Sequence, residues 1–315
     1  MAAARRGGLD SGQPVFDVTL GDRELKDACH DVKVGRWQGP RDLLRATGRD
    51  WDRRMYRMRV LADAAAATRL VESWQIAEPK NPDAVVLRAE VEVMRVFRAV
   101  AGAGTVNVSQ LDSALRSAFA AADQYPEDPV PWVSMLTVAR LYPEGRPEIA
   151  VWLDHLQDRD LLNREAYHQF LRYNSGRYHG SFQTSYDFAM DAVQFAPPGS
   201  PLAVLPQVAR AEHYRHKIAN QSAGTLGQAD FWQQAQAVRD LDTAMKRWLS
   251  RRTVEYAQDV NDLNFLAHGL SYAYRYDDAA TVFEAIGNYA SAIPWSYCGD
   301  PAALFTRWRD RAREG

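Results

Sequence analysis

Cysteine is scarce: Cys29 and Cys298 are the only two in 315 residues. That excludes a disulfide-dense scaffold and any CxxC-type redox or metal motif. One long-range disulfide and two free thiols both remain open, and two thiols in a reducing cytoplasm are the simpler reading. Long apolar runs are missing as well. No stretch of about 18 apolar residues occurs, so a membrane-spanning helix is excluded. The opening MAAARRGGLDSGQP carries two arginines with no apolar segment behind them, and is not expected to act as a secretory signal. Neither sign of charge dominates: 38 basic and 40 acidic residues leave a net charge of −2. Nucleic acid and anionic membrane are therefore not expected partners. GxSxG, HExxH and P-loop signatures are all absent, which removes the common sequence-local routes to nucleophilic, zinc or phosphoryl chemistry. No cofactor is expected. Apart from Phe16–Leu20, no alternating β-branched run of strand length stands out.

What the chain does have is apolar content and helical punctuation. Apolar residues make up 46% and aromatics 11%, ample for a sizeable core. Residues 1–20 read as a flexible tail in which Phe16 and Val18 can dock on the body. From 21 to 315 the chain reads as a single helical domain, with the polar loop at 220–227 as a hinge or seam. The most informative stretch is Ala114 to Trp132. Ala114, Ala118 and Ala121 give one helix a small-residue face, the helix stops at Pro126, and Asp128-Pro129 supplies a cap and a first-turn proline for the next. Similar stops and restarts occur at Glu78–Pro82, Pro197–Pro201 and Cys298–Pro301. Uninterrupted helical pattern extends from Trp51 to Ile76, and further helices are expected over Arg164–Tyr173, Asp230–Leu249 and Val254–Tyr274, among others. A chain written as helix, short turn, capped helix is a stack of helical hairpins.

Two signatures recur within it. Small or apolar residues precede a proline at similar offsets: Ala67, Val71, Trp74 and Pro79; Ala114, Ala118, Ala121 and Pro126; Ser185, Ala189, Ala192 and Pro197. Gly35-Arg36-Trp37, Gly176-Arg177-Tyr178 and Tyr274-Arg275-Tyr276 each place an aromatic where a hairpin turns. The fullest copy combines Leu263, Leu266, Ala267 and Leu270 with Tyr276, Ala279, Phe283 and Ile286. This pattern resembles the tetratricopeptide repeat, in degenerate form. The prolines Pro79, Pro126 and Pro197 are 47 and 71 residues apart, whereas the family's unit is about 34 residues long. The resemblance implies an all-α fold, a right-handed superhelix of antiparallel hairpins (a tetratricopeptide-like α-solenoid). It also implies a non-enzymatic scaffold that binds a peptide or protein partner in its concave groove.

In that family the groove wall is built from the first helix of each hairpin. The corresponding candidates are Asn261, Asn264, His268, Ser271 and Tyr272, with His168 and Arg172 on a similar face further up the chain. Arg172 is suited to bidentate capture of a carboxylate, which points to an acidic segment or a chain terminus. The alternative is an all-α enzyme or small-molecule-binding protein with a pocket among Trp132, Tyr142, Tyr167, Tyr173, Tyr178 and Tyr186. Other chemistry-bearing residues have plainer readings. His213 and His216 lie one turn apart but lack a third ligand fixed by spacing. Glu90 and Glu92 point to different helix faces. Cys29 sits among apolar positions as a small core residue.

Overall fold

The computed structural model describes residues 12–220 and 228–314; the loop expected as a hinge, beyond Asn220, lies outside them. Among the described residues the protein is all-α, with sixteen α-helices, three short 3-10 turns and no strand. No helix there is long and apolar enough to cross a membrane. The chain divides into two compact units. The break falls near Phe195, just before the Pro197-Pro198-Gly199 turn.

The first unit is Gly21–Gln194. It contains α1 (Arg23–Lys33), α2 (Gln38–Thr47), α3 (Trp51–Ala65), α4 (Leu70–Ala77) and α5 (Pro82–Ala103). There follow α6 (Val108–Gln124), α7 (Val130–Ala139), α8 (Ile149–Gln157), α9 (Arg164–Tyr173) and α10 (Phe182–Phe195). Asp22, Asp50, Asn81, Asn107 and Asn163 cap α1, α3, α5, α6 and α9, each accepting a bond from a first-turn N–H. Each such cap contributes about 1 kcal/mol and marks where a helix begins. The helix expected over Trp51–Ile76 is broken between α3 and α4. The cause is Thr68, whose Oγ1 donates to Ala65 O (3.0 Å) and accepts from Leu70 N (3.2 Å), so a side chain replaces the backbone ladder.

Alternate helices pack on one another: α1 on α3, α3 on α5, α5 on α7 and α7 on α9. The intervening helices α2, α6 and α8 pack against both helices that flank them in sequence, and α4 packs against α5. The alanines singled out in α6 behave as expected: Ala114, Ala118 and Ala121 are fully buried, where their size lets α6 lie close to α5 and α7. Helix α7 is the core of the unit, with all ten residues buried.

The second unit comprises the described residues of 1–20 and of 195–315. A 3-10 turn at Pro201–Val204 leads into α11 (Leu205–Asn220), followed by α12 (Gln228–Trp232) and α13 (Ala235–Arg247). The last three are α14 (Asp259–Tyr272), α15 (Tyr276–Ile286) and α16 (Pro301–Glu314). The helix expected over Asp230–Leu249 is thus two pieces, and the bend between them carries Phe231 and Trp232 inward. The one expected from Val254 starts at Asp259, whose carboxylate accepts from Tyr256 N and Arg252 and anchors the preceding loop. Helix α14 is central, packing against α11, α12, α13 and α15. Gly269 permits this crowding, because a Cβ there would lie 2.7 Å from Gln207 Oε1 and 2.9 Å from Leu241 Cδ2. Residues 12–20 are held by backbone rather than by apolar docking. Val15 N donates to Asn288 O (2.7 Å) and Ala290 N to Val15 O (3.0 Å), while Phe16 and Val18 stay exposed.

Candidate functional site

Polar residues on the stacked helices α3, α5, α7 and α9 meet in a continuous wall inside the first unit. On α9, Glu165, His168, Gln169 and Arg172 recur at i, i+3, i+4 and i+7, so they share one face, while Ala166, Tyr167 and Leu171 fill the packing side. On α7 only Ser134 and Thr137 interrupt an apolar sequence, one turn apart. Helix α3 contributes Arg59 and α5 contributes Glu90.

Arg59 joins the four helices. Its Nε lies 2.5 Å from Glu90 Oε1, an Nη donates to Thr137 Oγ1 (3.1 Å), and that same nitrogen is 3.7 Å from Glu165 Oε1. Ser134 donates to the other Glu90 oxygen. Glu165 accepts from Arg164 (3.0 Å) and from Gln169 Nε2. Burial opposes ionisation of Glu165, but Arg59, Arg164, Arg172 and the His168 ring together outweigh it and hold the carboxyl well below the ordinary carboxylate range. Glu90, Glu165 and His168 are enclosed, whereas Arg59 and Arg172 reach solvent. The wall therefore shows cations to the outside and keeps its anions within.

A second ion cluster braces the frame behind this wall. Arg54 on α3 binds Asp128 through Nε (2.9 Å) and Nη2 (2.7 Å) and reaches Asp83 at 2.7 Å. Asp83 lies in the first turn of α5, and Asp128 caps α7 by accepting from Val130 N (2.9 Å). One arginine thereby fixes the N-terminal ends of two neighbouring helices against α3.

The structure brings His168 and Arg172 together around Glu165, but it encloses His168 and leaves only Arg172 of the two partly exposed, and it closes the expected face of α14 as well. Asn264, His268, Ser271 and Tyr272 are all buried, and only Asn261 is partly exposed. The expected wet wall of α14 is closed because α11, α12, α13 and aromatic rings from later segments cover it. Trp232, Trp295 and Tyr272 pack their rings about 5 Å from His268. Asn264 is spent internally: its amide donates to Val260 O and Tyr289 O, and its oxygen accepts from Trp295 Nε1 (2.9 Å).

His268 Nε2 also lies 3.4 Å from Cys298 Sγ, a pairing of the kind that activates a nucleophile. Its electrostatics run the other way. Burial lowers His268 to about 3 and pushes the Cys298 thiol up to about 12, so both partners are neutral near pH 7 and no thiolate forms. Both cysteines are free thiols.

The central aromatics Trp132, Tyr142, Tyr167 and Tyr173 are buried packing elements. His213 lies tilted against Phe231 (5.6 Å), and burial, with the nearby Lys217, His216 and Arg210, lowers it to about 4. Among the described residues no group of three or more His, Cys, Asp or Glu could hold a metal ion. Glu90 and Glu92 point apart as their spacing requires, Glu90 into the wall and Glu92 to Arg88 and Ser117.

Sequence reasoning missed Arg59, Glu90, Glu165 and Gln169. The available signal was polar residues at i, i+3 and i+4 inside helices whose other positions are apolar, which a packing-only reading treats as surface. No protein-family model, curated protein or solved structure matches this chain.

Proposed function

We propose that this chain is a non-enzymatic interaction module, a degenerate tetratricopeptide-like stack of hairpins that binds a peptide or protein. The polar wall of Gly21–Gln194 is its recognition surface, and the ligand is an acidic segment or a chain terminus bearing a carboxylate. One observation carries the reading: Glu165 is buried and ionised among Arg59, Arg164 and Arg172, with Arg59 and Arg172 open to solvent. A buried carboxylate that orients arginines towards water preorganises them for an incoming anion. The stacking of α3, α5, α7 and α9 supports the reading, since it aligns first helices as a superhelical solenoid would. Two free thiols suit a reducing, cytoplasmic setting.

Fluorescence anisotropy with a panel of acidic peptides, each made with a free and an amidated C-terminus, tests this. Expected is saturable binding that weakens about tenfold or more in Arg172→Ala and in Arg59→Met, with circular dichroism unchanged for Arg172→Ala. Absence of binding by every peptide at millimolar concentration, or binding indifferent to both substitutions, would overturn it.

A further inference from the structure

A second site lies in the other unit, between the α14–α15 turn and α16. It is a cleft of about 470 Å³ lined by Tyr274, Tyr276, Arg307, Trp308, Asp310, Arg311 and Glu314. That volume is in the range of small-molecule sites. Its aromatic residues cluster at one side: the Tyr274 ring is 6.1 Å from Tyr276 and 6.3 Å from Trp308, centroid to centroid, tilted by 47° and 44°. Both cations that line it lie over ring faces, Arg307 over Trp308 at 5.3 Å and Arg311 over Tyr276 at 5.6 Å.

The backbone at Tyr274 is the more telling feature. Arg275 N donates to Leu270 O (2.9 Å) and Tyr274 N to Ser271 O (3.1 Å), the paired bonds of a Schellman helix end. The residue between them must adopt positive φ, and here it is Tyr274 at +57°. Glycine normally fills that position because a β-carbon is strained there. The hydrogen bonds of the helix end do not need a phenol ring, and Tyr274 is 49% exposed where it lines the cleft. Strain retained to present a side chain is the mark of a functional position.

The charges decide the ligand's sign. Asp310 is engaged by Arg309 (3.4 Å) and Arg313 (3.5 Å), and Glu314 by Arg311 at 3.5 Å with both ends solvated. Arg307 is exposed and lies over the Trp308 ring. We infer that this cleft binds a planar aromatic anion, its ring stacked on Tyr274 and its phosphate held by Arg307 and Arg311. Base-on-aromatic stacking beside arginine is how proteins hold nucleotides, and an aryl phosphate presents the same chemistry in smaller form.

Isothermal titration of the full chain with four probes tests the inference: adenosine monophosphate, phenyl phosphate, adenosine and inorganic phosphate. Expected is binding of the two aromatic phosphates at least tenfold tighter than of adenosine or phosphate alone. Tighter binding of adenosine monophosphate than of phenyl phosphate assigns the site to nucleotides, and equal binding assigns it to aryl phosphates generally. Arg307→Gln and Tyr274→Gly are each expected to weaken binding tenfold or more. Tyr274→Gly relieves the positive φ, so its melting temperature should not fall, and loss of binding then belongs to the ring. Failure of both aromatic phosphates to bind at millimolar concentration, equal binding of inorganic phosphate, or indifference to both substitutions would overturn the inference.

Discussion

Helices α7 and α14 hold the same place in their respective units, since each is buried along almost its whole length. Their polar atoms are stabilised in different ways. Around α7 the solution is ionic, with Ser134 and Thr137 bonded into the Arg59–Glu90–Glu165 network. In the middle of α14, beyond the Asp259–Arg252 pair at its start, it is aromatic and neutral: His268 lies uncharged between Trp232, Trp295 and Tyr272, and Asn264 is bonded to backbone and indole. Buried charge needs neighbouring charge, so the α7 environment ends in arginines that reach solvent. A neutral box needs only shape and a few hydrogen bonds, so α14 is sealed. Of the candidates on α9, Arg172 reaches solvent, while His168 is as enclosed as His268 on α14.

The largest effect expected is from opening the aromatic box. Trp295→Ala removes a fully buried indole and the donor to Asn264, and should cost about 5 kcal/mol in urea unfolding. A loss below about 1 kcal/mol would show that the box is not a packed core. Next comes the ionic wall. Glu165→Gln keeps the shape but leaves Arg59 and Arg164 facing a neutral amide, for an expected loss of about 3 kcal/mol. An unchanged midpoint would mean that the network adds no stability.

Acid should separate the two units. The unfolded chain protonates His268 near 6.5, but the folded chain does so only near 3, because burial disfavours the cation. The stability tied to neutral His268 is complete above 6.5 and is lost progressively as pH falls towards 3, about 2 kcal/mol of it by pH 5. His213, lowered to about 4, adds to the same limb. Glu165 is depressed from 4.5, so its contribution is retained until pH falls below that value. Hydrogen exchange, corrected for intrinsic rates, should show peptides of α14 losing protection between pH 7.5 and 5 while those of α9 hold. The reverse order would break the comparison.

The smallest expected effect on stability is that of Arg172→Ala, below about 1 kcal/mol, since this side chain is partly solvated. Thermal melting checks it, and a loss of several kcal/mol would make Arg172 a structural brace rather than a recognition residue.

Much of the helical framework was legible. The Arg164–Tyr173 helix agrees end to end with its expected span, because Asn163 caps it and its apolar positions keep a helical period. The α14–α15 hairpin buries Leu263, Leu266, Leu270, Ala279, Phe283 and Ile286 as the repeat-like spacing requires. Thr68 was harder to read, since a hydroxyl that captures backbone groups looks like any mid-helix threonine until the bond is seen. The site was half legible. His168 and Arg172 were picked from one helix face, but Arg59 and Glu90, which complete the wall around Glu165, come from helices more than 70 residues earlier, and no local periodicity links such positions.

The sequence by itself determined the all-α class, most helix starts and the small-residue face of α6, because caps, prolines and apolar period act within a few residues of one another. Tertiary structure alone decided which polar faces stay wet. Whether a polar side chain such as His268 or Arg172 meets solvent depends on what distant segments lay over it: Trp232 and Trp295 enclose His268, while Arg172 stays partly exposed. Burial is a property of the whole packing, which no run of neighbouring residues encodes.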